Sequence, residues 1–219
     1  MPLDSAPAQV TAAAQALGLS LSPTQIDALL AHLNLLAKWN KVYNLTAVRD
    51  PQDMLRQHLL DSLAAVPPLA RHLGSVASTP PRLLDVGSGA GLPGVVFAIA
   101  LPMLQVTCVD TVGKKASFIR QAAAELGLSQ LRAEHARVEQ LNIPACDVIT
   151  SRAFASLADF VSLTQHLLAP AGCWMAMKAK HPTDEIAALP AHIEVFHVEP
   201  LQVPGLDAER CLVWMRPRP

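Results

Sequence analysis

The chain has 219 residues, 51% of them hydrophobic, which excludes a disordered tail and leaves room for one α/β domain with an appendage but not for two full enzyme domains. A formal net charge of −1 gives no global attraction to nucleic acid, so any RNA contact needs a local cluster of Lys and Arg. The four cysteines (Cys108, Cys146, Cys173, Cys211) are far apart, with no CxxC pair and no His in ligand spacing, which argues against a metal site and makes them core residues.

No charged residue lies between Asp4 and Asp27, yet no Lys or Arg precedes Lys38, so the positive region of a secretory signal is missing. Pro7, Gln9, Thr11, Gln15 and Pro23 interrupt the run, which is therefore not a membrane span; the expected location is the cytoplasm. Ser22-Pro23-Thr24-Gln25 has the form of a capping box, and Ile26, Leu29, Leu30, Leu33 and Leu36 continue as the stripe of an amphipathic helix. Asp50-Pro51 opens a second helix, expected to end at Pro67-Pro68. A loose stretch from Gly74 to Pro81 then separates a helical extension, residues 1–73, from a second domain, residues 74–219.

Beyond it the rhythm alternates. Strands are expected at 82–87, 104–110, 131–135, 147–151, 173–178, 192–198 and 211–216. Helices are expected near 93–101, 113–126, 156–168 and 182–188. This predicts a seven-stranded, mostly parallel Rossmann-like sheet with helices on both faces, ending in an antiparallel hairpin.

The strongest local signal is Asp85-Val86-Gly87-Ser88-Gly89-Ala90-Gly91-Leu92-Pro93-Gly94, a strand running into a glycine-rich turn that opens a helix. Gly89 to Gly94 matches the dinucleotide fingerprint literally, and that match alone is weak. The D-x-G-x-G-x-G frame begins two residues earlier, and Asp85 stands where methyltransferases commonly keep an acid; both favour S-adenosylmethionine. Asp110 closes the next strand, where a carboxylate accepts from ribose hydroxyls in either cofactor class. An NAD oxidoreductase would want a Tyr-Lys pair, and the one tyrosine, Tyr43, precedes the loop.

Four segments together resemble the RsmG family, formerly glucose-inhibited division protein B: Trp39 to Thr46, His58 to Leu63, the cofactor loop with its Leu-Pro-Gly tail, and Ser151-Arg152-Ala153-Phe154. The resemblance implies a methyltransferase fold with an N-terminal helical extension. It further implies S-adenosylmethionine as cofactor and N7 methylation of a guanine in 16S rRNA near the decoding centre, the substrate being that RNA or a small-subunit precursor. Cofactor contacts are then expected at Gly87, Leu92, Val138, Glu139 and Arg152, alongside Asp85, Gly89 and Asp110 from the loop itself.

Arg152 follows the fourth strand on the ligand-bearing edge and is the expected catalytic residue. Lys114, Lys115 and Arg120 sit early in a helix where cations oppose the macrodipole, and with Lys178 they are the candidate RNA contacts. Phe154 reads as core, and Asn44 and His58 as buried hydrogen-bonding residues. Neither the Pro-Pro-aromatic motif of adenine amino methylation nor a Pro-Cys pair is present. Guanine N7 carries a lone pair and no proton, so the missing acid–base constellation agrees with attack from that atom, which needs alignment above all. A small-molecule methyltransferase shares the cofactor loop and is the alternative.

Overall fold

The computed structural model describes residues 5–75, 80–152 and 155–218. Phe154 lies outside them. Seven strands form one sheet in the order β3-β2-β1-β4-β5-β7-β6: β1 Arg82–Val86, β2 Gln105–Asp110, β3 Leu131–His135, β4 Cys146–Arg152, β5 Leu168–Lys178, β6 Ile193–Pro200 and β7 Cys211–Pro217. β1 to β5 run parallel; β7 pairs antiparallel with β5 on one side and β6 on the other. The strands fall within a few residues of their predicted places because buried parallel strands are short continuous apolar runs bounded by turns.

Alternate residues of each strand feed two cores. Leu83, Val106 and Val148 point to one face, covered by α6 (Gly94–Ala100) and α7 (Gly113–Glu125); Leu84, Val109 and Ile149 point to the other, covered by α8 (Leu157–Thr164) and α9 (Thr183–Ala187). The first core extends without interruption into the N-terminal helices α1 (Ala6–Ala16), α2 (Pro23–Tyr43), α3 (Pro51–Met54), α4 (Asp61–Ala64) and α5 (Val66–Leu73). Between α3 and α4 the helix widens to π geometry over Leu55–Leu60.

Local rules explain these ends. Ser22 Oγ accepts from the Gln25 N–H while Gln25 Oε1 accepts from the Ser22 N–H, a complete capping box. Gln25 Nε2 also donates to the carbonyls of Ile99 and Ala100, joining the start of α2 to the end of α6. Asp50 caps α3 through the N–H groups of Gln52 and Asp53. Two expectations are corrected. Pro67-Pro68 does not end a helix; both prolines fall in the first turn of α5, where no intrahelical donor is required. Asn44 is exposed, holding the left-handed cap of α2 at φ +48°. The buried amide is Asn40, which accepts from the Thr46 N–H and donates to the Val48 carbonyl. The alanine-rich start forms α1, whose buried face is made of small residues (Ala6, Val10, Ala13 and Ala14) where that of α2 is rich in leucine.

Candidate active site

The loop after β1 turns on three glycines in the left-handed region, Gly87 (φ +68°), Gly89 (+57°) and Gly91 (+76°). A Cβ on Gly91 would collide with Val95 Cγ2, whereas one on Gly89 meets only the Gly87 carbonyl oxygen, at 4.0 Å. Gly91 thus serves packing, and Gly89 keeps a surface bare. Asp110 fastens this loop to the end of β2: its Oδ2 accepts from the Gly89 N–H at 2.9 Å and its Oδ1 from the Val112 N–H at 2.8 Å. Lys115 Nζ stands 3.8 Å from Asp110 Oδ2. From the other side, His32 of α2 meets the Ala90 carbonyl at 3.2 Å. Complete burial, with the nearby His58 contributing, lowers its pKa to about 4 against the raising effect of that hydrogen bond, so the imidazole is neutral at pH 7.

Two concavities meet at Gly87. A side pocket of about 210 Å³ is lined by Gly87, Asp110, Val112, Lys115, Ala136 and Val138. The main cavity, about 520 Å³, is bounded by the loop residues Gly87 to Ala90 and Leu92, by Arg152, by Met177 to Ala179, by Leu201, Arg210 and Cys211, and by Leu45, Thr46, Gln57, His58 and Asp61 of the N-terminal region. Of the predicted cofactor contacts, Gly87, Gly89, Leu92 and Arg152 line the main cavity, while Asp110 and Val138 line the side pocket with Gly87. Glu139 is exposed and lines neither. Asp85 lies buried beneath the loop, its Oδ2 accepting from the Gly94 N–H at 2.9 Å and its Oδ1 without a described partner. Burial raises its pKa to about 6, against the hydrogen bonds and the Arg152 charge that lower it.

The floor of the main cavity holds an ionic group that the sequence reading missed. Asp61, 3% exposed, accepts from Arg152 Nη1 at 2.9 Å through Oδ2 and from Arg210 Nε at 2.6 Å through Oδ1. Arg152 Nη1 also donates to the Gln57 carbonyl at 2.9 Å. The π segment brings Gln57 and His58 to one wall and α4, which continues it, adds Asp61; such widened turns are frequent at functional sites. His58 meets the Thr46 hydroxyl at 2.8 Å. Burial first and the Arg152 charge second lower its pKa, so the ring is uncharged at neutral pH. Asp61 and His58 belong to a segment used for the resemblance; Arg210 lies beyond it and carried no signal.

The four basic candidates all have partners within the chain. Lys114 Nζ donates to the Tyr43 carbonyl at 2.7 Å, a favourable cation at the C-terminus of α2; Lys115 faces Asp110; Arg120 donates to the Ala133 carbonyl at 3.1 Å. Lys178 is bound by both carboxylate oxygens of Glu185, at 3.0 and 2.8 Å. Lys114 and Arg120 stay exposed on α7, and Lys114 reaches the end of α2, where Lys41, Val42 and Tyr43 are exposed. Among the described residues no His, Cys, Asp and Glu cluster suits a metal ion, and no helix is long and apolar enough to cross a membrane.

The family described as rRNA small subunit methyltransferase G matches residues 25–213. A Ribosomal RNA small subunit methyltransferase G from Leptothrix cholodnii is 69% identical over 207 residues, covering 94% of each chain. The protein of the same description from an Acidovorax species is 66% identical over 209 residues, 93% of this chain and 92% of its own. Among solved structures, the glycopeptide N-methyltransferase MtfA complexed with S-adenosyl-L-methionine superposes with a TM-score of 0.56 at 12% identity, covering 73% of this chain and 94% of that one; this likeness concerns the fold.

Proposed function

The chain belongs to the rRNA small subunit methyltransferase G family, and from that premise we propose that it transfers a methyl group from S-adenosylmethionine to N7 of a guanine in 16S rRNA, near the decoding centre. The observation that carries the reading is the pair of concavities joined at Gly87. The smaller offers Asp110 for ribose hydroxyls and Val138 as an apolar wall for a flat ring; the larger offers a bare glycine surface and Arg152. The donor set fits the cofactor: a buried carboxylate at the end of β2, a loop whose Gly89 leaves open space, and a cation for a carboxylate tail. When bound, S-adenosylmethionine supplies an electrophilic methyl group on a sulfonium.

The chain's own work is then binding and alignment. Asp110 orients the nucleoside end, and Asp85 shapes the turn from below through the Gly94 N–H. Glu139, on the rim after β3, is the remaining cofactor contact we assign on family grounds. Arg152, fixed by Asp61 and the Gln57 carbonyl, stands between cofactor and base as the catalytic residue. His58 stays neutral, so it adds no repulsion toward a cationic methyl donor, and no base is needed because N7 bears no proton.

We read residues 1–73 as a helical extension that closes the site of the domain formed by 74–219, since it contributes Leu45, Thr46, Gln57, His58 and Asp61 to the cavity. RNA, as 16S rRNA or a small-subunit precursor, then lies over Lys114, Lys115, Arg120 and Lys178. The test is chemical. Methylated RNA treated with borohydride and then aniline should break at one guanine, because an N7-methylguanine loses its glycosidic bond readily. A substrate with carbon in place of N7 should bind and accept no methyl; transfer to that analogue at the normal rate would place the reaction at another atom.

A further inference from the structure

Guanine and adenine present the same N7 lone pair, so an N7 methyltransferase must tell them apart at the neighbouring exocyclic group. O6 accepts a hydrogen bond in guanine where N6 donates in adenine. A side chain that only donates, placed beside the reacting nitrogen, accepts the first base and rejects the second.

Arg210 is a donor-only side chain on the wall of the main cavity. It directly precedes β7, where the main cavity adjoins an outer cavity of about 480 Å³, and Leu201, Arg210 and Cys211 line both. Its Nε donates to Asp61 Oδ1 at 2.6 Å and its Nη1 to the Glu209 carbonyl at 2.8 Å, while Nη2 has no hydrogen bond to a described residue. The usual arginine contact with guanine is bidentate, taking O6 and N7 together. Such a contact would occupy the atom to be methylated. With Nε and one N–H of Nη1 engaged, the free Nη2 is enough to hold O6 while N7 stays open.

The other cations on this cavity are less suited. Lys178 is taken up by both oxygens of Glu185, and Arg152 commits only Nη1, to Asp61 and the Gln57 carbonyl, which leaves Nε and Nη2 as an edge that would take N7 together with O6. Asp61 has two effects here: it fixes the plane of the Arg210 guanidinium, and it offsets positive charge beside a base that becomes cationic on methylation. Resting on the guanine-N7 reading above, we propose that Arg210 is the specificity residue that donates from Nη2 to O6 of the target guanine, with Asp61 as its positioning residue.

The experiment compares kcat/KM on RNA carrying guanine or 2-aminopurine at the target position; 2-aminopurine keeps N7 and lacks O6. Wild-type enzyme should lose roughly tenfold to a hundredfold on the analogue, the worth of one charge-assisted hydrogen bond. Arg210→Met should lose a similar factor on guanine and nothing further on 2-aminopurine. Arg210→Lys, still a donor, should recover part of the loss on guanine alone. Losses that multiply when Arg210→Met meets 2-aminopurine would overturn the proposal. Where Arg210→Met does not fold, the same cycle is read with Arg210→Lys, whose loss must again vanish on the analogue. No transfer by wild type to the guanine RNA would instead overturn the N7 reading itself.

Discussion

Replacing His32 by Gln should change how the fold responds to acid. In the native protein the imidazole is buried between α2 and the Ala90 carbonyl, and its pKa falls from 6.5 to about 4. Between those values the unfolded chain binds a proton that the folded one refuses. Stability is therefore complete above pH 6.5 and declines as pH drops toward 4. At about 1.36 kcal/mol per pH unit the loss approaches roughly 3 kcal/mol. Asp85 acts in the opposite sense: its folded pKa, raised to about 6, means that its carboxylate costs stability at neutral pH and that this cost is relieved as pH falls. Raw acid profiles therefore mix two trends, but the difference between wild type and His32→Gln removes the Asp85 contribution. The glutamine amide can still donate to Ala90, so the variant should lose only about 1 kcal/mol at pH 7.5. Urea midpoints measured from pH 7.5 to 4.5 should converge and then cross, with a relative shift on the order of 1 M urea. Parallel midpoint curves would mean that His32 is not held neutral by burial, and the argument would fail.

Asp61→Ala leaves two partly buried guanidinium groups around an empty carboxylate position, and should cost about 3 kcal/mol in urea unfolding; a change below about 1 kcal/mol would show that solvent compensates. Gly91→Ala combines φ +76° with a collision against Val95 Cγ2, and should destabilise by well over the roughly 1–2 kcal/mol of left-handed backbone alone. Gly18→Ala, at φ +70° with nothing within 4 Å, should cost only that backbone amount, so equal unfolding midpoints for the two variants would refute the steric reading. The double substitution of Lys114 and Lys115 by Ala should weaken RNA binding and reduce its salt slope by roughly 0.7 per lost single-strand phosphate contact, with cofactor affinity unchanged. An unchanged slope would assign both lysines to their Tyr43 and Asp110 partners alone.

The parts of this protein that could be read from sequence are those governed by local rules. Buried parallel strands show as apolar runs such as Arg82–Val86, the Ser22 capping box shows in four letters, and the glycine loop announces backbone angles that other residues resist. The site was legible where it coincides with that loop and with the strand ends at Asp110 and Arg152. It was not legible where it depends on distant partners. Asp61 reads as an ordinary helix acid until Arg152 and Arg210 arrive from 91 and 149 residues away. The π segment left no mark in composition, and the prolines at 67 and 68 look alike as helix stop and helix start. Asp85 shows the converse, a motif residue whose letter is clear and whose carboxylate faces the Gly94 amide instead of either cavity.

The placing of β7 between β5 and β6 imposes an order of assembly. In the finished sheet β6 touches only β7, so a chain that has produced β6 has no edge to add it to until β7 exists. β6 can therefore join the sheet only with β7 or after it, and the pairing of β7 with β5 is a non-local step of the kind that slows the completion of mixed sheets. Arg210 stands at the root of that hairpin, and its guanidinium reaches Asp61 only when β7 has zipped onto β5 from Cys211 to Met215. Completion of the cavity floor thus depends on the same pairing that extends the sheet, and a chain without it, however complete its glycine loop, lacks the Arg210–Asp61 contact.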